Sequence, residues 1–288
     1  MESVQIQEID EGVFGAAGTG ATTWESSIAM SLFFASQPEM LRGNVIELGS
    51  GVGLGGILNV FGQSLMNPQM QQRQQLQPEG SSTVKRAFLH SMTLSDYNPH
   101  VLIQCQNNLH SALPLRAGNQ YFHVPPIRLA KLDWYDFARP SSSDTTQQHV
   151  HEYDTVIACD CAYRYPDLAT LATAMESLLR RSQGSNIHLF GPINRSALHE
   201  LTRLLRDDKG MHVVMERLEM QRYRLKPLAG WNNSRYMTHA NKLFELLAEQ
   251  EECPYAGRCV PRFLHVSASL QDSKSPRSQS KTAIADID

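Results

Sequence analysis

Residues Glu47-Leu-Gly-Ser-Gly-Val-Gly53 put a carboxylate two positions ahead of a run of glycines, at the end of the apolar stretch 44–48. A buried strand that runs into glycines and then a helix is a nucleotide-binding geometry, because the glycines let the backbone pass close to a ligand. Gly51-x-Gly53-x-x-Gly56 also satisfies the dinucleotide fingerprint, in which a pyrophosphate rests on the helix N-terminus. Glu47 points another way. A carboxylate suits a ligand that carries positive charge and no phosphate.

Three further groups can do chemistry. Asp96, in Leu94-Ser-Asp-Tyr-Asn-Pro99, ends a second apolar run and is placed to accept hydrogen bonds from two ribose hydroxyls. It lies 49 residues after Glu47, against about 20 for a dinucleotide-type ribose acid. A Gln-rich stretch at 67–86 accounts for much of that distance. Leu132-Asp-Trp-Tyr135 follows a third run, and Ala158-Cys-Asp-Cys-Ala-Tyr163 a fourth. The carboxyl ends of parallel strands are where such sheets bind ligands. Each group also has a plainer reading. Asp96 suits a helix cap or turn, Trp134 a core aromatic with Asp133 at the surface, and Tyr163 a wall. Cys159 and Cys161 suit small core positions, Glu25 a helix cap, and Trp24 the core as well as a lid. Asn194 and Arg195 follow the fifth strand at the same rim.

The elements that must position these groups read as alternating helices and strands. Thr22 and Glu25 have capping-box spacing, and Trp24, Ile28, Leu32 and Ala35 recur at helical intervals, which predicts an amphipathic helix over 23–36. A strand over 44–48 and a helix over 54–65 follow. Strands are expected at 87–94, 127–132, 153–158, 186–190, 212–218 and 263–266, and helices at 101–113, 168–181, 196–206 and 240–247. This alternation implies an α/β fold with a mostly parallel sheet. Residues 1–21 form an N-terminal loop segment, 22–268 the domain and 269–288 a disordered tail. Polar insertions fall near 67–86 and 139–151, the second holding His149-x-His151, expected to be solvated.

Taken in order, these motifs resemble the seven-strand class I methyltransferases, and the resemblance covers most of residues 13–268. It implies a Rossmann-like seven-stranded sheet with helices on both faces and S-adenosyl-L-methionine as cofactor. The glycine loop (Gly49, Ser50, Gly51, Gly53) would wrap the methionyl and ribose part, with Glu47 orienting the ammonium. Trp24, in the helix before the glycines, would help close the pocket. Asp96 and Tyr97 would serve the ribose side, and Asn108, twelve residues after Asp96, also fits. Asp133 and Trp134 would lie at the adenine edge, beside Cys159, which stands where a small Ala is common. Asp160-Cys-Ala-Tyr163 departs from the Asn/Asp-Pro-Pro-Tyr/Phe usual in enzymes that methylate base amines. It resembles instead the Asp-x-x-Tyr motif of methyltransferase family 16, most of whose known members modify protein lysines. That resemblance implies catalytic roles for Asp160 and Tyr163.

Composition narrows the alternatives. The formal net charge of −3 over 288 residues builds no strong positive field for phosphate binding. The start lacks a signal-peptide pattern, and the apolar run 28–35 is too short to span a bilayer. Five cysteines, an odd and sparse set, read as reduced thiols, and no metal site is expected. The expectation is a monomeric protein-lysine N-methyltransferase of the cytoplasm, with the nucleus as a second location, and no membrane or nucleic-acid partner. The competing readings are methylation of arginine, nucleic acid or a small amine, a non-catalytic binding module of the same fold, and an NAD-dependent oxidoreductase.

Overall fold

The computed structural model describes residues 7, 20, 24–60, 62–63, 89–112, 124–139, 149–218 and 263–270. The Gln-rich stretch, most of the second polar stretch, the helix expected at 240–247, Cys253 and Cys259 lie outside them, as do nearly all of 1–21 and of the tail. The elements, in order, are α1 (Glu25–Ser36), a 3-10 turn (Pro38–Met40), β1 (Gly43–Leu48), α2 (54–60), β2 (Leu89–Asp96) and α3 (Pro99–Ala112). Then come β3 (Ile127–Lys131), α4 (Tyr135–Ala138), β4 (Thr155–Cys159), α5 (Leu168–Leu178), β5 (Asn186–Pro192), α6 (Ser196–Arg203), β6 (Met211–Leu218) and β7 (Phe263–Leu270).

The seven strands form one sheet in the order β3-β2-β1-β4-β5-β7-β6. The ladders β3–β2, β2–β1, β1–β4 and β4–β5 are parallel, whereas β7 runs antiparallel to both β5 and β6. This is the Rossmann-like sheet that the class I methyltransferase resemblance implies. Strand order reverses beside β1, so β2 and β4 flank it, and the cleft of a doubly wound sheet opens at that switch point.

Alternation along each strand builds two cores. Ile46, Leu48, Val156, Ala158 and Leu189 pack with Leu171 and Met175 of α5 and Leu198 and Leu201 of α6. Val45, Ile157, Cys159 and Phe190 pack on the other face with Met30, Phe33 and Phe34 of α1, Ile57 of α2 and Cys105 of α3. Glu47 shares the second face with Val45. A charged side chain is thereby carried into an apolar layer, and no packing reason calls for it there.

Three local expectations are corrected. Helix α1 begins at Glu25, with Trp24 at the N-cap and no side-chain cap, and Thr22 of the expected capping box lies outside the described residues. Its buried residues are Ser26 and the run 29–34, which includes Leu32 of the expected stripe, while Ile28 and Ala35 of that stripe are only half-buried and Trp24 is exposed. Its apolar residues are spread around the helix rather than gathered on one side, which gives periodicity little contrast with which to choose a face. Helix α3 starts at Pro99, two residues early, because proline suits the first helical position and the Asn98 side chain accepts the His100 N–H at 3.0 Å. His149 and His151 are not simply solvated: His149 Nδ1 lies 3.0 Å from the Tyr153 hydroxyl and 3.2 Å from Glu152, and His151 Nδ1 lies 2.8 Å from the Leu179 carbonyl. The histidines also include a pair that spacing did not reveal. His188 and His265 face each other in the second core with ring nitrogens 2.9 Å apart. No helix among the described residues is long and apolar enough to cross a membrane.

Candidate active site

The carboxyl ends of β1, β2 and β4 surround a cleft, the place where a parallel sheet of this kind binds ligands. Backbone hydrogen bonds stitch its floor. The Ser50 N–H donates to the Ser95 carbonyl at 2.8 Å, and the Gly51 N–H to Asp96 Oδ2 at 3.2 Å. The Ser95 hydroxyl donates to the Glu47 carbonyl at 2.8 Å. The loop after β1 is thus tied to the end of β2, which brings Glu47 and Asp96 together across 49 residues of sequence. Gly49 turns the chain with φ +62°, and a Cβ there would stand 2.8 Å from Cys161 Sγ and 3.5 Å from the Trp134 ring. Only glycine serves that position.

Glu47 is 2% exposed, and its Oε2 has no hydrogen-bond partner. A Cβ on Gly56 would press on the same carboxyl at 2.6 Å, so the start of α2 approaches it backbone-first. Burial pushes the Glu47 carboxyl up to about 8, and the Gly56 N–H offsets this only in part. Without a cation, burial in this position favours the neutral acid. Asp96 is also buried, and burial raises its carboxyl too, against the pull of the N–H groups of Asn98, Gly51 and Tyr97. Its Oδ1 accepts the Asn98 N–H at 2.9 Å, an Asx turn. The turn reading and the cleft reading are therefore both true of Asp96.

The other side of the cleft is built from the end of β4. Asp160 extends the strand by one hydrogen bond, its N–H donating to the Phe190 carbonyl at 2.9 Å. It then turns at φ +55°, a left-handed conformation uncommon outside glycine. Its side chain is 6% exposed and pairs with Arg195 at 3.2 Å, from the loop between β5 and α6. Cys159 and Cys161 flank it as free thiols, both pushed well above the ordinary thiol range, chiefly by burial. The Cys161 Sγ–H donates to the Leu48 carbonyl at 3.0 Å. These are packed thiols rather than thiolate nucleophiles.

Of the expected residues, Trp24, Glu47, Gly49, Ser50, Gly51, Asp96, Tyr97, Trp134, Cys159, Asp160 and Tyr163 all line this one cleft. Trp24 is 38% exposed at its wall, which sets aside a core role. Gly53 and Asp133 are not among the lining residues. Gly53 faces α3, where a Cβ would meet Cys105 Sγ at 2.5 Å. Asp133 accepts the Tyr135 N–H at 3.0 Å, a local cap at the start of α4. Gly20, Ser27, Val52 and Leu54 join the walls although sequence reasoning did not single them out, and so does Cys161, which it read as a core position. Ser27 had a signal, since it lies one helical turn after Trp24. Three carboxylates and no Lys, Arg or His are among the described lining residues.

No protein-family model matches the chain, and no curated protein matches it in sequence. Solved structures similar to it include the ribosomal protein L11 methylase of Lactobacillus delbrueckii subsp. bulgaricus, at 11% identity and TM-score 0.46 over 87% of this chain and 81% of that one. Magnesium protoporphyrin IX methyltransferase from Synechocystis PCC 6803, a structure with bound S-adenosylmethionine, is 12% identical with TM-score 0.43, over 85% of this chain and 77% of that one. Precorrin-6y C5,15-methyltransferase from Geobacter metallireducens is 14% identical with TM-score 0.42, over 89% of this chain and 93% of that one. The chemistry assigned to this cleft rests on its own residues.

Proposed function

We propose that the chain is an S-adenosylmethionine-dependent methyltransferase whose acceptor is a lysine side chain of a protein. The observation that carries the cofactor assignment is the charge of the cleft: three buried or half-buried carboxylates and no basic side chain among the described lining residues. Such a wall offers a pyrophosphate no cation among the described residues and suits a ligand bearing ammonium and sulfonium charges. The donor set fits that ligand. The Glu47 Oε2, buried and without a partner, suits the ammonium. Asp96, at the end of β2, suits ribose hydroxyls. Trp24, Tyr97 and Trp134 offer aromatic surface to a base.

When bound, the cofactor supplies an electrophilic methyl group on a sulfonium. An acceptor nitrogen would have to offer its lone pair to that methyl group. The amine must therefore arrive unprotonated, and a free lysine has a pKa near 10.4. A narrow pocket lowers that value by desolvation, and a neighbouring positive charge lowers it further. Tyr163, 40% exposed at the rim, lines the entry and positions the nitrogen with its ring face or hydroxyl. Asp160 orients the amine from the floor. Most of the acceleration then comes from alignment of the reacting atoms. The lysine reading draws on the resemblance of Asp160-Cys-Ala-Tyr163 to the family 16 motif. Incubating cell extract with the purified protein and tritiated S-adenosylmethionine tests it. Label on one lysine of a protein band is the expected result; label in RNA or only in small molecules would overturn the lysine assignment.

A further inference from the structure

Asp167 stands where a helix cap belongs, and its carboxylate is used elsewhere. It ends the 3-10 turn Tyr165–Asp167 and is the N-cap of α5, a position where aspartate ordinarily accepts a backbone N–H of the first helical turn. No such cap bond forms. Instead the Tyr135 hydroxyl donates to Asp167 Oδ1 at 2.6 Å, the length of a charge-assisted O–H···O bond. The bond to Asp167 is also what chiefly raises the Tyr135 hydroxyl above its ordinary value. Arg164 Nε lies 3.4 Å from the other carboxyl oxygen, an ion pair from the same turn. The Tyr135–Asp167 bond joins loops that leave different strands. Tyr135 directly follows Trp134 after β3, and Asp167 lies four residues after Tyr163 on the loop from β4. Trp134 and Tyr163 line the cleft, whereas Tyr135, Arg164 and Asp167 do not.

We propose that Tyr135 and Asp167 are positioning residues that couple the two halves of the cleft, so that a cofactor held against Trp134 sets the stance of Tyr163 for the acceptor. The proposal rests on the reading of this cleft as a methyl-transfer site. On the cofactor side, the Trp134 ring lies 3.5 Å from where a Cβ of Gly49 would stand, hard against the glycine loop. The Trp134 carbonyl accepts the Phe137 N–H at 3.2 Å and Asp133 accepts the Tyr135 N–H at 3.0 Å, so Trp134 and Tyr135 belong to one tight turn. On the acceptor side, no helix or strand holds residues 160–164. The Tyr163 N–H donates to the Cys161 carbonyl at 3.2 Å and the Asp167 N–H to the Arg164 carbonyl at 3.1 Å. That segment depends on local turns and on what Asp167 grips across the gap. Such a link lets occupancy of one site bias the other. Packing of Trp134 and Cys161 about Gly49 is a second route between the halves, but it does not pass through the Tyr135 hydroxyl, so removing that hydroxyl separates the two.

Amide hydrogen exchange, read by NMR with and without S-adenosylhomocysteine, tests the coupling. The reporters are the N–H groups of Asp167 and Leu168, which donate to the Arg164 and Tyr165 carbonyls and lie outside the cleft lining. In the wild type the ligand should slow their exchange roughly five- to tenfold, the scale of a modest coupling between sites. Tyr135→Phe should remove that ligand effect while S-adenosylhomocysteine affinity stays within about twofold by calorimetry. Asp167→Asn, whose side-chain oxygen can still accept the Tyr135 hydroxyl, should keep most of it. With the acceptor found by tritium labelling, Tyr135→Phe should raise the acceptor's KM severalfold and leave that of S-adenosylmethionine near the wild-type value. No ligand effect on the two amides in the wild type, or the same effect in Tyr135→Phe, would overturn the proposal. So would faster exchange in Tyr135→Phe by an equal factor with and without the ligand, the mark of a bond that only stabilises the turn. Failure of the methyl-transfer reading looks different: the wild type would then bind no S-adenosylhomocysteine in the calorimeter, and the proposal would fall with it.

Discussion

The two halves of the cleft each contain a buried carboxylate, and the chain treats the two in opposite ways. Glu47, at the end of β1, has an oxygen with no hydrogen-bond partner, and burial raises its carboxyl to about 8. Asp160, one strand away after β4, is buried to a similar depth and has Arg195 beside it at 3.2 Å. A buried charge is tolerated when something compensates it. For Asp160 the chain provides the compensation; for Glu47 it leaves the place to a ligand. In the proposed reading, Glu47 serves the cationic cofactor and Asp160 the acceptor.

The largest effect expected from breaking this contrast is on the Glu47 side. Glu47→Gln should weaken S-adenosylhomocysteine binding by roughly a hundredfold, since the ligand's ammonium would lose its only buried counter-charge in this account. Calorimetry of the variant checks this. Next comes proton linkage. The cofactor needs the ionised carboxylate, whereas the cofactor-free protein holds it protonated below about 8. Binding should therefore release a proton from Glu47. Affinity should fall toward pH 6, by at most about tenfold per unit. Titrations in buffers of different ionisation enthalpy measure the proton directly, and Glu47→Gln should remove the release.

A stability effect of the same origin follows. The folded carboxyl titrates at about 8, above its ordinary 4.5. Its contribution to stability is thus fully present below pH 4.5 and is lost as pH rises through 8. Cofactor-free Glu47→Gln should be more stable than the wild type at pH 8, by up to a few kcal/mol, with the difference shrinking toward pH 5. Thermal melts at the two pH values follow it. A smaller effect belongs to Asp96→Asn, which should lower cofactor affinity about tenfold through lost ribose contacts. The smallest is Asp133→Asn. Because Asp133 caps α4 and is absent from the cleft lining, cofactor affinity should stay within about twofold. A large loss at Asp133 would place the adenine edge where the motif first put it.

The parts of this site that sequence could reach are those set by strand ends. Glu47, Asp96 and Asp160 each close an apolar run, and parallel strands deliver their carboxyl ends to one edge of the sheet. Gly53 and Asp133 are absent from the cleft lining for local reasons. The third glycine of the loop faces α3, and Asp133 is used by the turn that follows it. What spacing could not show depends on approach between distant segments. Cys161 reaches the Leu48 carbonyl, His188 meets His265, and Arg195 reaches Asp160 from another strand's loop. In α1 the failure had a different cause: apolar residues lie on almost every side, so no periodicity could select the face formed by Ala29, Met30 and Phe33.

The central claim is that the cleft holds a cationic, phosphate-free nucleoside ligand on Glu47 and Asp96. Calorimetric titration of the wild-type protein with S-adenosylhomocysteine, and separately with NAD, tests it most directly. The account predicts one S-adenosylhomocysteine bound per chain, weakened by Glu47→Gln far more than by Asp133→Asn, and no heat from NAD. Binding of NAD without S-adenosylhomocysteine, or S-adenosylhomocysteine binding that Glu47→Gln leaves unchanged, would contradict it.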